Sequence, residues 1–345
     1  MKILVYGAGV IGSYLSHVLC AAGNEVTLLA RGKWKERLER NGLRIRHHLQ
    51  HRETLDRPKV IGDVPTEEHF DAVFAVMPYN KIGAIVEPLA AIHAPLVVMV
   101  GNNMRPAAMR QTILEGTVCE KEVLFGFQVT AGKRDIENGV LICERLGAGV
   151  MDIGGLHALP DEATRARLQS AFAGTKYRLR WQPDMEAYLI CHLAAILPIG
   201  YLTYACGGDM LSSTGKQRKM MRMASKEAYG LLRAQGVPIP PDGDDTWYEP
   251  GVRGALMQFV YWLMSKSQMG DLIACAHCRN AYEEMEMLDR AFDAIIARTP
   301  DYPMPNWQAL KAQMPDWETV RKQYRKDTSR TPPTRCATWS PTPTP

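Results

Sequence analysis

A glycine-rich turn, GAGVIG, constrains the fold of this chain more than any other sequence feature. The apolar run KILVY before it predicts a buried strand, and VIGSYLSHVLCAAG has the apolar spacing of a helix. In such a strand–turn–helix the first glycine permits the tight turn, the second lets a pyrophosphate approach the backbone, and the third lets helix and strand pack closely. Free N–H groups at the positive end of the helix dipole then bind the phosphates. The turn therefore predicts a dinucleotide site formed by Gly7, Gly9, Val10, Ile11 and Gly12.

The second predicted strand, EVTLLA, is followed by Arg31 and soon afterwards by Lys33. Dinucleotide sites selective for NAD usually have Asp or Glu here, which binds the 2′-hydroxyl of the ribose. This sequence has no carboxylate at that point, and a guanidinium can pair with the 2′-phosphate of NADP. We therefore expect NADP(H) rather than NAD(H) as the cofactor, bound through Arg31. The alternative is that Arg31 is a solvated loop residue.

Predicted strands and helices alternate through the first half of the chain. DAVFAVM and PLVVMV predict further strands, and KIGAIVEPLAAI between them predicts a helix. This alternation is typical of a parallel sheet covered by helices on both faces. KEVLFGFQVTAG and GVLICERLG predict two more strands, which form either a hairpin or an extension of the sheet. DEATRARLQSAFAG predicts a helix capped by Asp161.

Long stretches with helical periodicity dominate the second half and predict helices over residues 185–204, 216–235, 252–267 and 271–297. The fold class is therefore α/β, with an N-terminal doubly wound parallel sheet and a C-terminal all-helical domain. We expect the first domain to span residues 1–180 and the helical domain residues 181–326. Segment 327–345 is rich in Pro and Thr and is expected to be a disordered tail.

Composition narrows the class of partner and the cellular compartment. A formal charge of +4 over 345 residues gives no indication of nucleic-acid binding, but it suits a small anionic ligand. The eight cysteines have neither zinc-ligand nor disulfide spacing, so we expect no metal site and reduced thiols in the cytoplasm. The apolar stretch 187–205 contains His192 and Pro198 and lacks basic flanks, so we expect a buried helix rather than a membrane span.

Four segments together resemble the ketopantoate reductase (2-dehydropantoate 2-reductase) family: MKILVYGAGVIGSYL…GNEVTLLAR, VVMVGNNM, VLFGFQVTAGKRDIENGV and VMDIGG. The resemblance is strong at the N-terminus and thin in the helical half. It implies a Rossmann-type domain plus a helical domain, with the active site in the cleft between them. It also implies hydride transfer from NADPH to C2 of a small anionic 2-oxo acid, protonation of the carbonyl oxygen, and a homodimer.

Two polar residues match functional positions of that family. Asn102 lies where the family has the asparagine that holds cofactor and substrate, although Asn103 replaces the glycine that usually follows. Its amide has both a donor and an acceptor and could bridge a ribose and a carbonyl, but asparagine is also common in turns. Glu284, in EEMEMLD, falls on the family's glutamate in the helical domain; the alternative is a solvated helix face.

The chain departs from the family at its catalytic lysine. Alignment on Pro198 places Leu189 there, and alignment on HLA places His192 there. Leucine cannot protonate a carbonyl oxygen, whereas a histidine with a pKa near the working pH can. We therefore expect His192 to be the proton donor, with His277 as the second candidate; the alternative is that His192 is a core residue. The family's lysine after the third strand is also missing, and Pro78 lies near its place.

Two other functions remain open. One is a different dehydrogenase on the same scaffold, acting on an oxo, hydroxy or imine compound. The other is a protein that binds a dinucleotide without catalysis, as a sensor or an interaction module. The missing lysine is what such a protein would show.

Overall fold

Short runs of Val, Ile, Leu and Ala form the strands of the N-terminal domain in the computed structural model, which describes residues 1–145, 147–267 and 270–325. In chain order the strands are β1 (Lys2–Tyr6), β2 (Glu25–Leu29), β3 (Leu43–His47), β4 (Arg52–Asp56), β5 (Lys59–Ile61), β6 (Ala72–Val76), β7 (Leu96–Val100), β8 (Glu122–Gln128), β9 (Ala131–Asp135), β10 (Val140–Glu144), β11 (Val150–Gly154) and β12 (Arg178–Trp181). The expected tail at 327–345 lies outside the described residues.

Within the described ranges, eight strands form the main sheet in the order β12-β11-β8-β7-β6-β1-β2-β5. Neighbouring strands are parallel except β8 and β11, which are antiparallel. The chain moves outward from β1 to β2 and β5, and then returns to the other side of β1 with β6. The crevice at the carboxyl ends of β1 and β6 is therefore the topological switch point, where ligands bind in open α/β sheets.

The helices in chain order are α1 (Val10–Ala21), α2 (Gly32–Asn41), α3 (Tyr79–Ile82), α4 (Val86–Ala90), α5 (Pro106–Glu115), α6 (Glu162–Ala171), α7 (Met185–Ala205), α8 (Gly215–Ala234), α9 (Val252–Lys266), α10 (Ala276–Asn280), α11 (Tyr282–Ile296), α12 (Pro305–Lys311) and α13 (Trp317–Arg325). The helices from α7 onward form the helical domain. Asp161 caps α6 by accepting a hydrogen bond from the Thr164 amide, so the predicted cap is confirmed.

Two hydrophobic cores lie on the two faces of the main sheet, because successive side chains of a strand point to opposite faces. Ile3 and Val5 of β1 pack with residues of α1, α2 and α6. Leu4 and Tyr6 belong to the other core, which continues through α4 and α5 into the helical domain. This second core holds the two domains together and places the cleft beside the sheet.

A second sheet, in the order β4-β3-β10-β9, packs over α1. The sequence left open whether the segments after β7 form a hairpin or extend the main sheet, and the structure shows both. β8 extends the main sheet, and β9 and β10 form an antiparallel hairpin in the second sheet. The strands β3 and β4 were not predicted, since their alternation of charged and apolar residues is short.

Two predicted helices differ from the structure. The segment KIGAIVEPLAAI is divided into α3, a 3₁₀ turn at Gly83–Ile85, and α4. Pro88 lacks an N–H, and its ring would clash with the preceding turn of a continuous helix. Segment 271–297 is also not one helix: a π-helical turn at Asp271–Cys275 precedes α10, and Ala281 leaves helical geometry before α11 begins.

The apolar helix α7 lies in the middle of the helical domain. By length and composition it could cross a membrane, but 61% of its most apolar window is buried inside the protein. Its residues Leu189, Leu193 and Leu197 belong to the shared core. This arrangement agrees with the prediction of a buried helix.

Candidate cofactor and substrate site

The glycine turn after β1 can be formed only by glycine at two of its positions. Gly7 has a φ of +117°, and a Cβ there would lie 2.3 Å from the carbonyl oxygen of Val76. A Cβ at Gly12 would lie 1.9 Å from the carbonyl oxygen of Gly7. At Gly9, in contrast, a Cβ would meet no atom within 4 Å. The first and third glycines are therefore required by packing, whereas the second leaves open space above the turn.

That open space lies directly at the N-terminus of α1. Gly9 is the N-cap residue, and no side chain caps the helix. The first turn contains no acidic residue, so the N–H groups of Val10 and Ile11 are available to a ligand. An uncapped helix N-terminus below an open glycine turn suits a pyrophosphate. The residues present therefore fit a dinucleotide.

A second positive site lies at the end of β2. Arg31 is the N-cap residue of α2, and the first turn of that helix has no acidic residue. The guanidinium is exposed, and its Nη2 lies 3.5 Å from the Tyr6 hydroxyl. Among the residues that the structure describes, no carboxylate pairs with Arg31. A phosphate here would meet both the guanidinium and the positive end of the α2 dipole.

The two polar residues chosen from the sequence, Asn102 and Glu284, lie in contact. Nδ2 of Asn102 donates to Oε1 of Glu284 at 3.1 Å, and the same oxygen accepts from the backbone N–H of Tyr79 at 2.9 Å. Both side chains are buried, so Glu284 is not on a solvated helix face. Oδ1 of Asn102 is also buried and has no hydrogen-bond partner. The pair joins the two domains and leaves one acceptor free.

The position of this pair follows from the strand ends. Asn102 comes two residues after β7, beyond Gly101, whose φ is +134°. A Cβ at Gly101 would lie 2.8 Å from the carbonyl oxygen of Met77, and Met77 Sδ is also close to Gly7. The pair therefore lies at the carboxyl edge of the sheet, with the end of β6 between it and the glycine turn. Asn103 has another role, because its Oδ1 accepts from the Arg105 amide within the turn.

His192 lies on α7 with its ring against Phe127, at the carboxyl end of β8, with 4.1 Å between ring centroids. It is partly buried, and among the described residues its ring has no hydrogen-bond partner. Burial, together with repulsion from His277, lowers the pKa of His192 to about 4, although Asp152 opposes the shift. The expected pKa near the working pH is therefore not found, because a charged imidazole is poorly solvated there.

The structure also locates His277, the second proton-donor candidate, and the residue at the family's lysine position. His277 is exposed on α10 and close enough to His192 to affect its pKa. Alignment on Pro198 places Leu189 at the position of the family's lysine, and this leucine is fully buried. Neither alignment places a lysine at that position, and α7 contains no lysine.

A polar network beside His192 was missed by the sequence analysis. The Tyr188 hydroxyl, one helical turn before His192, donates to Asp152 at 2.9 Å. Asp152 also accepts hydrogen bonds from Arg180 and Gln182, and burial raises the pKa of Tyr188. The signal that could have found it is an aspartate inside the otherwise apolar strand VMDIG. The network ties the start of α7 to β11 and β12.

Comparison with protein families matches residues 3–155 to the model described as Ketopantoate reductase PanE/ApbA. A curated relative from Bacillus subtilis (strain 168), named Uncharacterized oxidoreductase YkpB, is 34% identical over 100 residues. That match covers 29% of this chain and 32% of the relative, so it spans slightly less than a third of the relative's length.

Solved structures resemble the whole of both domains. D-mandelate dehydrogenase, in a ternary structure with NADH and anilino(oxo)acetate, has a TM-score of 0.70 at 13% identity, covering 94% of this chain and 99% of that one. The 2-dehydropantoate 2-reductase of Methylococcus capsulatus has a TM-score of 0.68 at 19% identity, covering 96% and 99%. The chain therefore has the two-domain fold of the ketopantoate reductases, and its residues 3–155 match the model of the ketopantoate reductase PanE/ApbA family.

Proposed function

We propose that the protein is an NADPH-dependent reductase of a small 2-oxo acid, with hydride transfer to C2 and protonation of the carbonyl oxygen. The observation that carries the proposal is the contact between Asn102 and Glu284 at the carboxyl edge of the sheet. It leaves the buried Oδ1 of Asn102 without a partner, although buried polar atoms are normally hydrogen-bonded. A hydroxyl of the cofactor's ribose or of the substrate would satisfy this oxygen.

Each residue has a distinct role in this proposal. Bound NADPH supplies the hydride. Glu284 orients the Asn102 amide, so that Oδ1 points to the ligand, and it fixes the start of α3 through the Tyr79 amide. His192 donates the proton to the carbonyl oxygen. A substrate carboxylate close to His192 would raise its pKa, because a nearby negative charge favours the imidazolium.

The buried leucine at position 189 favours a second candidate, a protein that binds NADPH but turns nothing over. A panel of 2-oxo acids, hydroxy acids and imines, followed by NADPH absorbance, separates the possibilities. Oxidation of NADPH in the presence of 2-oxo acids supports the proposal. Activity only with hydroxy acids or imines indicates a different dehydrogenase. Tight NADPH binding with no turnover on the whole panel assigns the non-catalytic role.

Arg31→Ala is expected to raise the Kd for NADPH by about 10- to 100-fold and to leave the Kd for NADH nearly unchanged. The variant loses one charge-assisted contact to a phosphate, which contributes about 1.5–3 kcal/mol. Cofactor fluorescence titration measures both constants. Arg40→Ala is the matched control, since it removes the same charge from the last turn of α2. Equal affinity of the unmutated protein for the two cofactors would contradict the NADP assignment.

Glu284→Gln is expected to lower kcat/KM by about 10- to 100-fold, because the neutral amide holds Asn102 less strongly and adds N–H groups that clash with its donor. Steady-state kinetics on the best substrate of the panel measure the loss. Glu283→Gln is the control, since Glu283 is exposed and its carboxylate accepts a hydrogen bond from Asn80 at 3.3 Å. If Glu284→Gln keeps full activity, as the control is expected to do, the contact between Asn102 and Glu284 has no part in the reaction.

We also propose a cytoplasmic homodimer. An apolar stripe along α9, spaced for one helix face, is exposed, and Val252 at its start is 88% exposed. The stripe consists of Val252, Leu256, Val260 and Leu263. Exposed apolar patches of this kind mark contact surfaces, and a second copy of the chain would cover it. Light scattering of the whole chain is expected to give the mass of a dimer.

A further inference from the structure

A cavity of about 610 Å³ lies between α8 and α9, in a part of the helical domain that the proposed reaction does not use. The helix α9 packs mainly against α8 and the turn Asp244–Trp247, whereas α7, α10 and α11 carry the residues of the cleft. The cavity is shallow and widely open to solvent, so a small molecule can reach it.

Two buried guanidinium groups line this cavity without a counter-ion. Arg218 and Arg222 are each only 8% exposed. Arg218 donates to the backbone and hydroxyl oxygens of Ser213, and Arg222 donates to the backbone oxygens of Tyr248 and Glu249. The Nε atom of each has no partner, and neither guanidinium pairs with a carboxylate anywhere in the described residues. Because unpaired buried charges are unfavourable, the cavity is suited to an anion.

The N-terminus of α9 adds to the positive potential. Its N-cap residue is Gly251, which also lines the cavity, and no side chain caps the helix. The first turn of this 15-residue helix has no acidic residue, so its N–H groups are free. Gly254 lets the helix approach Arg222, because a Cβ there would lie 2.7 Å from Nη1 of that arginine. Lys219 is exposed at the rim of the cavity.

Aromatic side chains form the opposite part of the lining. Phe259 and Trp262 stack on each other, with ring centroids 5.6 Å apart and an interplanar angle of 26°, and both rings are partly exposed. With Ala255 they line the cavity on the flank of α9 that faces α8. Phe259 lies three residues after Leu256 and four before Leu263, so the aromatic pair borders the exposed stripe that begins at Val252.

We propose that this cavity binds a small amphipathic oxyanion. A carboxylate or phosphate head is held by Arg218, Arg222 and the first turn of α9, because guanidinium groups bind both oxyanions through charge-assisted hydrogen bonds. The apolar body of the ligand packs on Phe259 and Trp262. The site is separate from the dinucleotide cleft, and the inference does not depend on the proposed reductase activity.

Calorimetric titration of the whole chain with hexyl phosphate, below its micelle-forming concentration, tests the proposal. Inorganic phosphate and hexanol each carry half of the required chemistry and are expected to bind about tenfold more weakly. Hexanoate in place of hexyl phosphate shows which of the two head groups the site prefers. If hexanol binds as tightly as hexyl phosphate, the arginines do not select the ligand. If inorganic phosphate binds as tightly as hexyl phosphate, the aromatic side chains do not contribute to binding.

A matched pair of variants tests the location. Ala255 is exposed on the cavity wall, so a longer side chain fits without repacking. Ala255→Glu places a carboxylate beside the arginines and is expected to raise the Kd for hexyl phosphate about tenfold, whereas Ala255→Gln, with the same shape and no charge, has a much smaller effect. NADPH affinity stays unchanged in both. Equal binding by both variants, competition by NADPH, or no binding to the whole chain would each overturn the proposal.

Discussion

Replacing Gly12 with alanine is expected to destabilise the N-terminal domain by about 3 kcal/mol or more and to abolish dinucleotide binding. The new methyl group would lie 1.9 Å from the carbonyl oxygen of Gly7, which is a backbone atom and cannot rotate away. Helix α1 must therefore move off β1, and the N–H groups at its N-terminus move with it. Differential scanning calorimetry of the cofactor-free protein measures the loss of stability.

Gly9→Ala is expected to give the opposite pattern. Its Cβ meets no protein atom within 4 Å, and its φ of −72° suits any residue, so the cofactor-free protein should melt at an unchanged temperature. The methyl group does, however, occupy the space that a pyrophosphate needs, so the Kd for NADPH should rise by at least about tenfold. The two alanine variants thus separate a packing role from a ligand role within one turn.

Gly83→Ala is the control for both variants, because it adds a methyl group in open space at a helical φ of −59°. It should change neither the melting temperature nor cofactor affinity. If Gly9→Ala binds NADPH as tightly as the unmutated protein does, the pyrophosphate does not lie over this turn. That outcome would contradict the reductase proposal and the dinucleotide-binding alternative together.

Features that depend on neighbouring residues could be predicted from the sequence. The turn that ends β1, the helix α1 and the cap at Asp161 are examples, because each is determined by residues a few positions apart. The parallel pairing of the first strands also followed, since alternating strands and helices are typical of a parallel sheet. The prediction of one helix over 271–297 was wrong in detail: the chain leaves helical geometry at Ala281, just before α11, which packs against α3 of the other domain.

Features that depend on tertiary contacts could not be predicted. The family resemblance identified Asn102 and Glu284 separately, but it did not reveal that their side chains meet, or that the Tyr79 amide shares the carboxylate. The sequence also gave no warning of the low pKa of His192, because Phe127 and His277 reach it from distant elements. The arginines of the α8–α9 cavity looked like ordinary charged residues of a helix face until their burial was known.

His192→Gln is expected to lower kcat by about 10²- to 10³-fold while NADPH affinity stays unchanged, because glutamine keeps a polar side chain but cannot supply a proton. Single-turnover measurement of NADPH oxidation isolates this step from product release. The proton donor must carry its proton before the reaction. The pKa of His192 is about 4, so the protonated fraction falls about tenfold for each pH unit above that value. For the unmutated protein, kcat/KM should therefore rise about tenfold for each unit between pH 7 and pH 5, and His192→Gln should remove this slope.

His277→Gln distinguishes the two histidines. Repulsion from His277 contributes to the low pKa of His192, so its removal should raise that pKa and shift the pH profile of kcat/KM to higher pH, with turnover retained. If His277→Gln instead abolishes turnover while His192→Gln is active, the exposed histidine on α10 is the donor. If both variants keep full activity and the slope persists, neither histidine replaces the family's lysine. The proton would then come from another group of the cleft, for which Tyr188, hydrogen-bonded to Asp152, is the next candidate.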